Sequence, residues 1–116
     1  MFDLFLKLIF AHAIADFLLQ PDKMAKYKSS HTPPSKNLIP KGEDPQSFWI
    51  HFLLAHAMIN GAAIYALTSI AWMAFVEIFV HAYIDYQKCE SKISIHQDQL
   101  LHLLSKIIYI LILSQL

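Results

Sequence analysis

No arginine occurs in this 116-residue chain, and there is only one cysteine and two glycines. Each shortage removes a class of function. Nine lysines are balanced by nine acids, so the net charge is zero and the positive excess that draws nucleic acids to basic domains is missing; nucleic acid is excluded as a partner. The one thiol, Cys89, has no partner for an internal disulfide, and between Lys88 and Glu90 it reads as an incidental side chain of a polar connector. With glycine confined to Gly42 and Gly61 there is no glycine-rich phosphate loop, and no serine nucleophile motif stands in its place. The N-terminal stretch lacks the basic region and small-residue cleavage site of a secretory signal, so Met1–Gln20 is expected to belong to the mature fold.

What the chain does hold is apolar material. Its hydrophobic fraction is 56%, above the roughly 45–50% of ordinary globular domains. Mean hydropathy of +0.41 suits a weakly hydrophobic membrane protein or a very apolar soluble bundle, so distribution along the chain must separate them. Four apolar segments are predicted as helices over 1–20, 47–67, 70–87 and 96–115, the second with Ser47 as N-cap. Pro21 and Asp22 stop the first. Residues 21–46 carry five lysines and all five prolines with no hydrophobic period, and read as a basic surface loop. Segments of about 20 residues reach across ~30 Å of hydrocarbon. The expectation is therefore an all-α, single-domain, four-helix up-down-up-down transmembrane bundle over residues 1–116. Lys23, Lys26, Lys28, Lys36, Lys41, Lys88 and Lys92 fall in the first and third loops, whereas the connector at Thr68 and Ser69 is uncharged. The positive-inside rule then puts the lysine-bearing loops in the cytoplasm and both termini outside.

Ionisable residues within such segments are functional candidates by default. His12 lies eight residues before Gln20, His56 nine after Ser47, His81 seven before Lys88 and His102 six after His96. At 1.5 Å per residue the four rings share one layer, roughly 9–14 Å inside the same edge. Three have a carboxylate one turn away: His12 with Asp16, His81 with Asp85, and Asp98 with His102. An i, i+4 pair puts both groups on one helix face, and the order inverts from HxxxD to DxxxH as the helix direction inverts, as a shared site requires. His12, Asp16, His56, His81, Asp85, Asp98 and His102 are the predicted ligands of a divalent metal, zinc foremost and manganese or iron as alternatives, with one or two ions. A metal-free polar network or a proton relay would use the same residues. One turn deeper lie Asn60, Glu77 and Lys106; Glu77 is the candidate general base or, alternatively, half of an ion pair with Lys106. Gln20 and Gln99 adjoin the motifs, where their amides are placed to donate to a ligand carboxylate or to loop backbone. His51, about 140° around the helix from His56, is expected to miss the site, and His31 and His96 to be solvated.

These motifs, HxxxDFxLQP from His12 to Pro21, the histidine-bearing second segment, HxxxDxxK from His81 to Lys88, and DQxxH from Asp98 to His102, resemble a family of small multi-span bacterial and phage membrane proteins known as domain of unknown function 3307. The resemblance covers nearly the whole chain outside the loop around His31 to Pro45. It implies a bacterial inner-membrane location and a distant likeness to membrane-bound metal-dependent hydrolases. The functional expectation is an integral membrane protein with an intramembrane metal site and, if an enzyme, a metal-dependent hydrolase. The alternatives are a metal-stabilised scaffold for a cytoplasmic partner and an ion- or proton-conducting subunit. The bilayer is the one partner named. The substrate or protein partner is left open, as is a homo-oligomer.

Overall fold

A computed structural model describes residues Met1–Leu116. The chain is all α, with no strand: α1 (Phe2–Ala13) runs on through a π-helical turn (Ile14–Leu18), and is followed by a short α2 (Asp22–Tyr27), two single 3-10 turns, α3 (Trp49–Thr68), α4 (Ala71–Cys89) and α5 (Ile95–Ser114). α1 packs against α3 and α5, and α4 against the same two, so the four long elements close a ring. The late residues of α1 and α4 meet the early residues of α3 and α5, as alternating helix directions require.

Local chemistry sets most boundaries. The α3–α4 link is two residues long, closed by Ser69 in the left-handed region (φ 59°) and by the Thr68 hydroxyl, which accepts from the Ile70 amide. α5 opens on a capping box: Ser94 Oγ accepts from the Gln97 amide, and the Gln97 side chain accepts from the Ser94 amide. Gly61 sets the approach of α3 to α4, because a Cβ there would lie 2.5 Å from Ile78 Cγ1 and 3.0 Å from the Ala74 carbonyl. Two expectations need correction. Ser47 does not cap α3; it ends a 3-10 turn whose cap is Asp44, and Phe48 precedes the helix. Residues 21–46 are not wholly a surface loop, since they contain α2 and bury Tyr27 and Lys28. Tyr27 packs on Phe52 of α3, which explains why that stretch folds back over the bundle end.

The interior reverses the usual pattern. Twelve buried residues are polar or charged and ten are hydrophobic, whereas a water-soluble core excludes unpaired polar groups. The inward stripe of α5 reads Asp98, His102, Ser105, Lys106, Tyr109. A small apolar cluster of Leu8, Ile64, Met73 and Tyr109 closes the opposite end. Large apolar side chains meanwhile face outward, among them Phe10, Phe17, Phe75, Phe79, Ile108 and Leu111. One segment, Pro45–Thr68, is long and apolar enough to cross a membrane by length and composition.

Candidate metal centre

The structure brings all four predicted imidazoles and all three predicted aspartates into one layer. Asp16 is at its middle. It sits in the π-helical turn, where the Leu19 amide reaches back five residues to the Ile14 carbonyl, a widened geometry frequent at functional sites. Gln20 holds that turn by donating to the Asp16 carbonyl. Asp16 Oδ1 lies 3.0 Å from His56 Nε2 and 3.2 Å from His81 Nε2, and the two nitrogens are 3.1 Å apart. Three helices thus supply a nearly equilateral triangle of donor atoms. Donors sharing one ion at about 2.0–2.2 Å stand roughly 3.0–3.4 Å apart, so the triangle has the dimensions of a coordination face. Asn60 donates toward His81 Nε2 at 3.2 Å, and Glu77 Oε1 lies 3.4 Å from the other ring nitrogen of His81, an ion-pair separation without a hydrogen bond, on the side from which a carboxylate orients a liganding imidazole.

On the other side of Asp16 lie the α5 groups. His102 stacks on His81 with centroids 4.1 Å apart and stands 4.9 Å from His12. Gln99 joins the aspartates: its amide donates to Asp16 Oδ2 at 3.1 Å and to Asp98 Oδ2 at 2.9 Å, while its oxygen lies 3.1 Å from His12 Nε2. Asp98 Oδ1 is 3.5 Å from His102 Nε2. Ligand atoms within 4.8 Å of one another group as Asp16–His56–His81, Asp16–Asp98–His102 and His12–His81–His102. These buried clusters could hold a metal ion.

The lysines sort the carboxylates. Glu77 receives Lys106 Nζ at 2.7 Å and the Tyr109 hydroxyl at 2.7 Å, so both its oxygens are engaged. Asp85 receives Lys28 at 2.7 Å and lies 3.1 Å from Lys88, which is also 3.7 Å from Asp98. Asp16 is the exception: its ion-pair partners are His12, His56 and His81. Eight buried side-chain nitrogen and oxygen atoms lack a hydrogen bond, and all eight belong to the seven predicted ligands, with His102 bare at both ring nitrogens. Of these, Asp16 Oδ1, Asp98 Oδ1 and His102 Nε2 lie at the ligand groupings, and native interiors leave few such atoms unsatisfied unless an ion or water serves them, so these donors fit a divalent cation.

Asp85 is the predicted ligand most engaged elsewhere. Its Oδ2 is 3.3 Å from His56 Nε2 but carries the Lys28 ammonium. His51, His31 and His96 are exposed and outside the layer. Lys28 and Tyr109 are the participants that sequence reasoning missed. Tyr109 stood three residues after Lys106, on the same helix face, which is a usable signal. Lys28 had none, being one lysine among several in an irregular stretch.

Comparison with known proteins adds a family without an activity. No curated protein and no solved structure matches the chain. A family model described as a protein of unknown function, DUF3307, matches residues 4–116, so the chain belongs to that family.

Proposed function

We propose that this protein is a membrane-embedded divalent-metal protein whose centre is built on Asp16, His56 and His81, and that it acts as a hydrolase on a substrate reaching it from the lysine-bearing end. The observation that carries the reading is the isolation of Asp16. Every other carboxylate of the buried layer has an ammonium nearby, whereas this one is faced by three imidazoles from two neighbouring helices and its own. A carboxylate held away from water with imidazoles as its ion-pair partners is strongly disfavoured unless a cation compensates it. Imidazole with carboxylate is the donor set of zinc, and also of manganese or iron.

The membrane part rests on the reversed interior, on the outward aromatic and aliphatic side chains, and on the one apolar segment long enough to span. A bilayer is the solvent in which such an exterior is stable. Lys23, Lys26, Lys28, Lys36, Lys41, Lys88 and Lys92 gather toward one end, supporting a cytoplasmic position for those loops and an outer position for both termini in a bacterial inner membrane.

Three protein donors leave open positions on an ion, as catalytic zinc sites do. The cation would supply Lewis acidity to an oxygen of water or substrate. The protein's own residues do the rest. Glu77, with both oxygens engaged, orients His81 and is a positioning residue in this reading. Lys88, partly exposed beside Asp85 and Asp98, favours an anionic substrate group. A second reading is favoured by Asp85 Oδ2, 3.3 Å from His56 Nε2. As a fourth ligand it would close the sphere and make the metal a structural staple of a scaffold.

Elemental analysis of protein extracted from membranes in detergent tests both. Wild type is expected to carry zinc, manganese or iron and Asp16→Ala to lose it; equal metal in the two, or none in wild type, ends the proposal. Asp85→Asn keeps the metal if the sphere is open and loses it if Asp85 closes it.

A further inference from the structure

Resting on that reading, we infer that the layer holds two ions, with Asp16 as the carboxylate shared between them and the second ion carried by Asp98, His102 and His12. Three observations converge. Asp16 belongs to two of the three ligand groupings, Asp16–His56–His81 and Asp16–Asp98–His102, and His102 links the latter to the third, His12–His81–His102. Its two oxygens face opposite ways: Oδ1 lies against His56 and His81, whereas Oδ2 lies 3.4 Å from His12 Nε2 and accepts from Gln99. A carboxylate whose oxygens serve different partners is the geometry of a bridging ligand, and carboxylate-bridged ions stand about 3.5–4 Å apart.

The second half of the layer is also bare where a ligand must be. His102 is fully buried, and neither ring nitrogen has a hydrogen-bond partner. Asp98 is fully buried with Oδ1 unpartnered, and the one hydrogen bond to it, from the Gln99 amide, falls on Oδ2. Gln99 therefore occupies one oxygen of Asp16 and one of Asp98 and leaves the other of each uncovered. An amide in that place fixes the two carboxylates relative to one another without supplying charge. Bare Asp98 Oδ1 and His102 Nε2 stand 3.5 Å apart, and His12, also bare at Nδ1, closes the side toward α1. One ion at the Asp16–His56–His81 triangle leaves these groups unexplained. Two ions account for them, and the surplus positive charge is balanced by the anion that the open positions take.

The test is stoichiometry with manganese alone as the probe. Detergent-purified, chelator-stripped protein is titrated with Mn²⁺, followed by elemental analysis and electron paramagnetic resonance. Wild type is expected to bind two ions per chain with the spectrum of an exchange-coupled pair. His102→Ala and the isosteric Asp98→Asn are each expected to bind one, with an uncoupled spectrum. The second variant keeps the test valid should the first fail to fold. One ion per chain in wild type, or two in both variants, overturns the two-ion assignment while leaving the metal centre standing. No ion in wild type overturns the metal centre itself.

Discussion

His56 Nε2 and His81 Nε2 stand 3.1 Å apart across the α3–α4 interface, with Asp16 Oδ1 almost equidistant from both. At that separation the two rings share either one proton or one cation. The alternatives differ in what holds the bundle together, because a shared proton joins the two nitrogens alone whereas a cation engages all three atoms of the triangle.

If a cation is shared, its removal loosens the whole bundle. Chelation is expected to lower the thermal unfolding temperature in detergent, and metal re-added at a thousandfold excess over Kd to restore about 4 kcal/mol. Unfolding followed by circular dichroism with and without chelator reads this out. An unchanged transition would favour the shared proton.

Glu77 is expected to act on the metal through His81, whose ring it meets at 3.4 Å. Outer partners of liganding histidines typically set affinity by 10–100-fold, so Glu77→Gln should weaken metal binding by roughly that factor while leaving occupancy complete at saturating metal. Competition against a chromophoric chelator measures it. Loss of all binding would instead mark Glu77 as a ligand.

Lys106 and Glu77 form a buried ion pair at 2.7 Å. Lys106→Met leaves that carboxylate uncompensated and is expected to cost about 3–5 kcal/mol. The double variant with Glu77→Gln should recover most of it, as both charges are then gone. Chemical denaturation of the two singles and the double closes the cycle; additive losses would mean that the pair is not coupled.

Gly61→Ala places a methyl group 2.5 Å from Ile78 Cγ1 and 3.0 Å from the Ala74 carbonyl. The side chain can give way but the backbone cannot, so a destabilisation of about 1–3 kcal/mol is expected, with only partial rescue by Ile78→Ala. Because α3 and α4 carry His56 and His81, metal affinity should fall with it.

At the lysine-bearing end, His31 and Ser30 both reach the Glu90 carboxylate at 3.0 Å, fastening the long connector to the α4–α5 turn. Those hydrogen bonds hold the Glu90 pKa below the usual carboxylate value. A depressed carboxylate contributes stability above its unfolded pKa and loses it as pH falls through the folded value. The connector should therefore become easier to cleave in limited proteolysis near pH 4, and Glu90→Gln should be cleaved equally readily at neutral pH. Protection that does not change with pH would refute the latch.

The sequence by itself determined the helices and the level at which polar groups fall on them. Both are local: an i, i+4 spacing places a histidine and an acid on one helix face, and a count of residues from the helix end sets their depth, whatever the neighbours are. Gln20 and Gln99 were legible for the same reason, since each lies beside a motif and donates as its position suggests. Two local signals misled. Ser47 had the chemistry of a cap, but Asp44 and Pro45 had already begun a turn, and the continuous helical pattern before Gln20 hid the π-helical turn that carries Asp16. Only the tertiary structure decided how charge is distributed inside the layer. Which carboxylate receives an ammonium depends on where a distant lysine is brought. Lys28, 57 positions from Asp85, reaches it because Tyr27 anchors α2 on Phe52. That placement, with Lys88 beside Asp98 and Lys106 on Glu77, leaves Asp16 among imidazoles, and no spacing along the chain encodes it because ammonium and carboxylate meet through packing between separate elements.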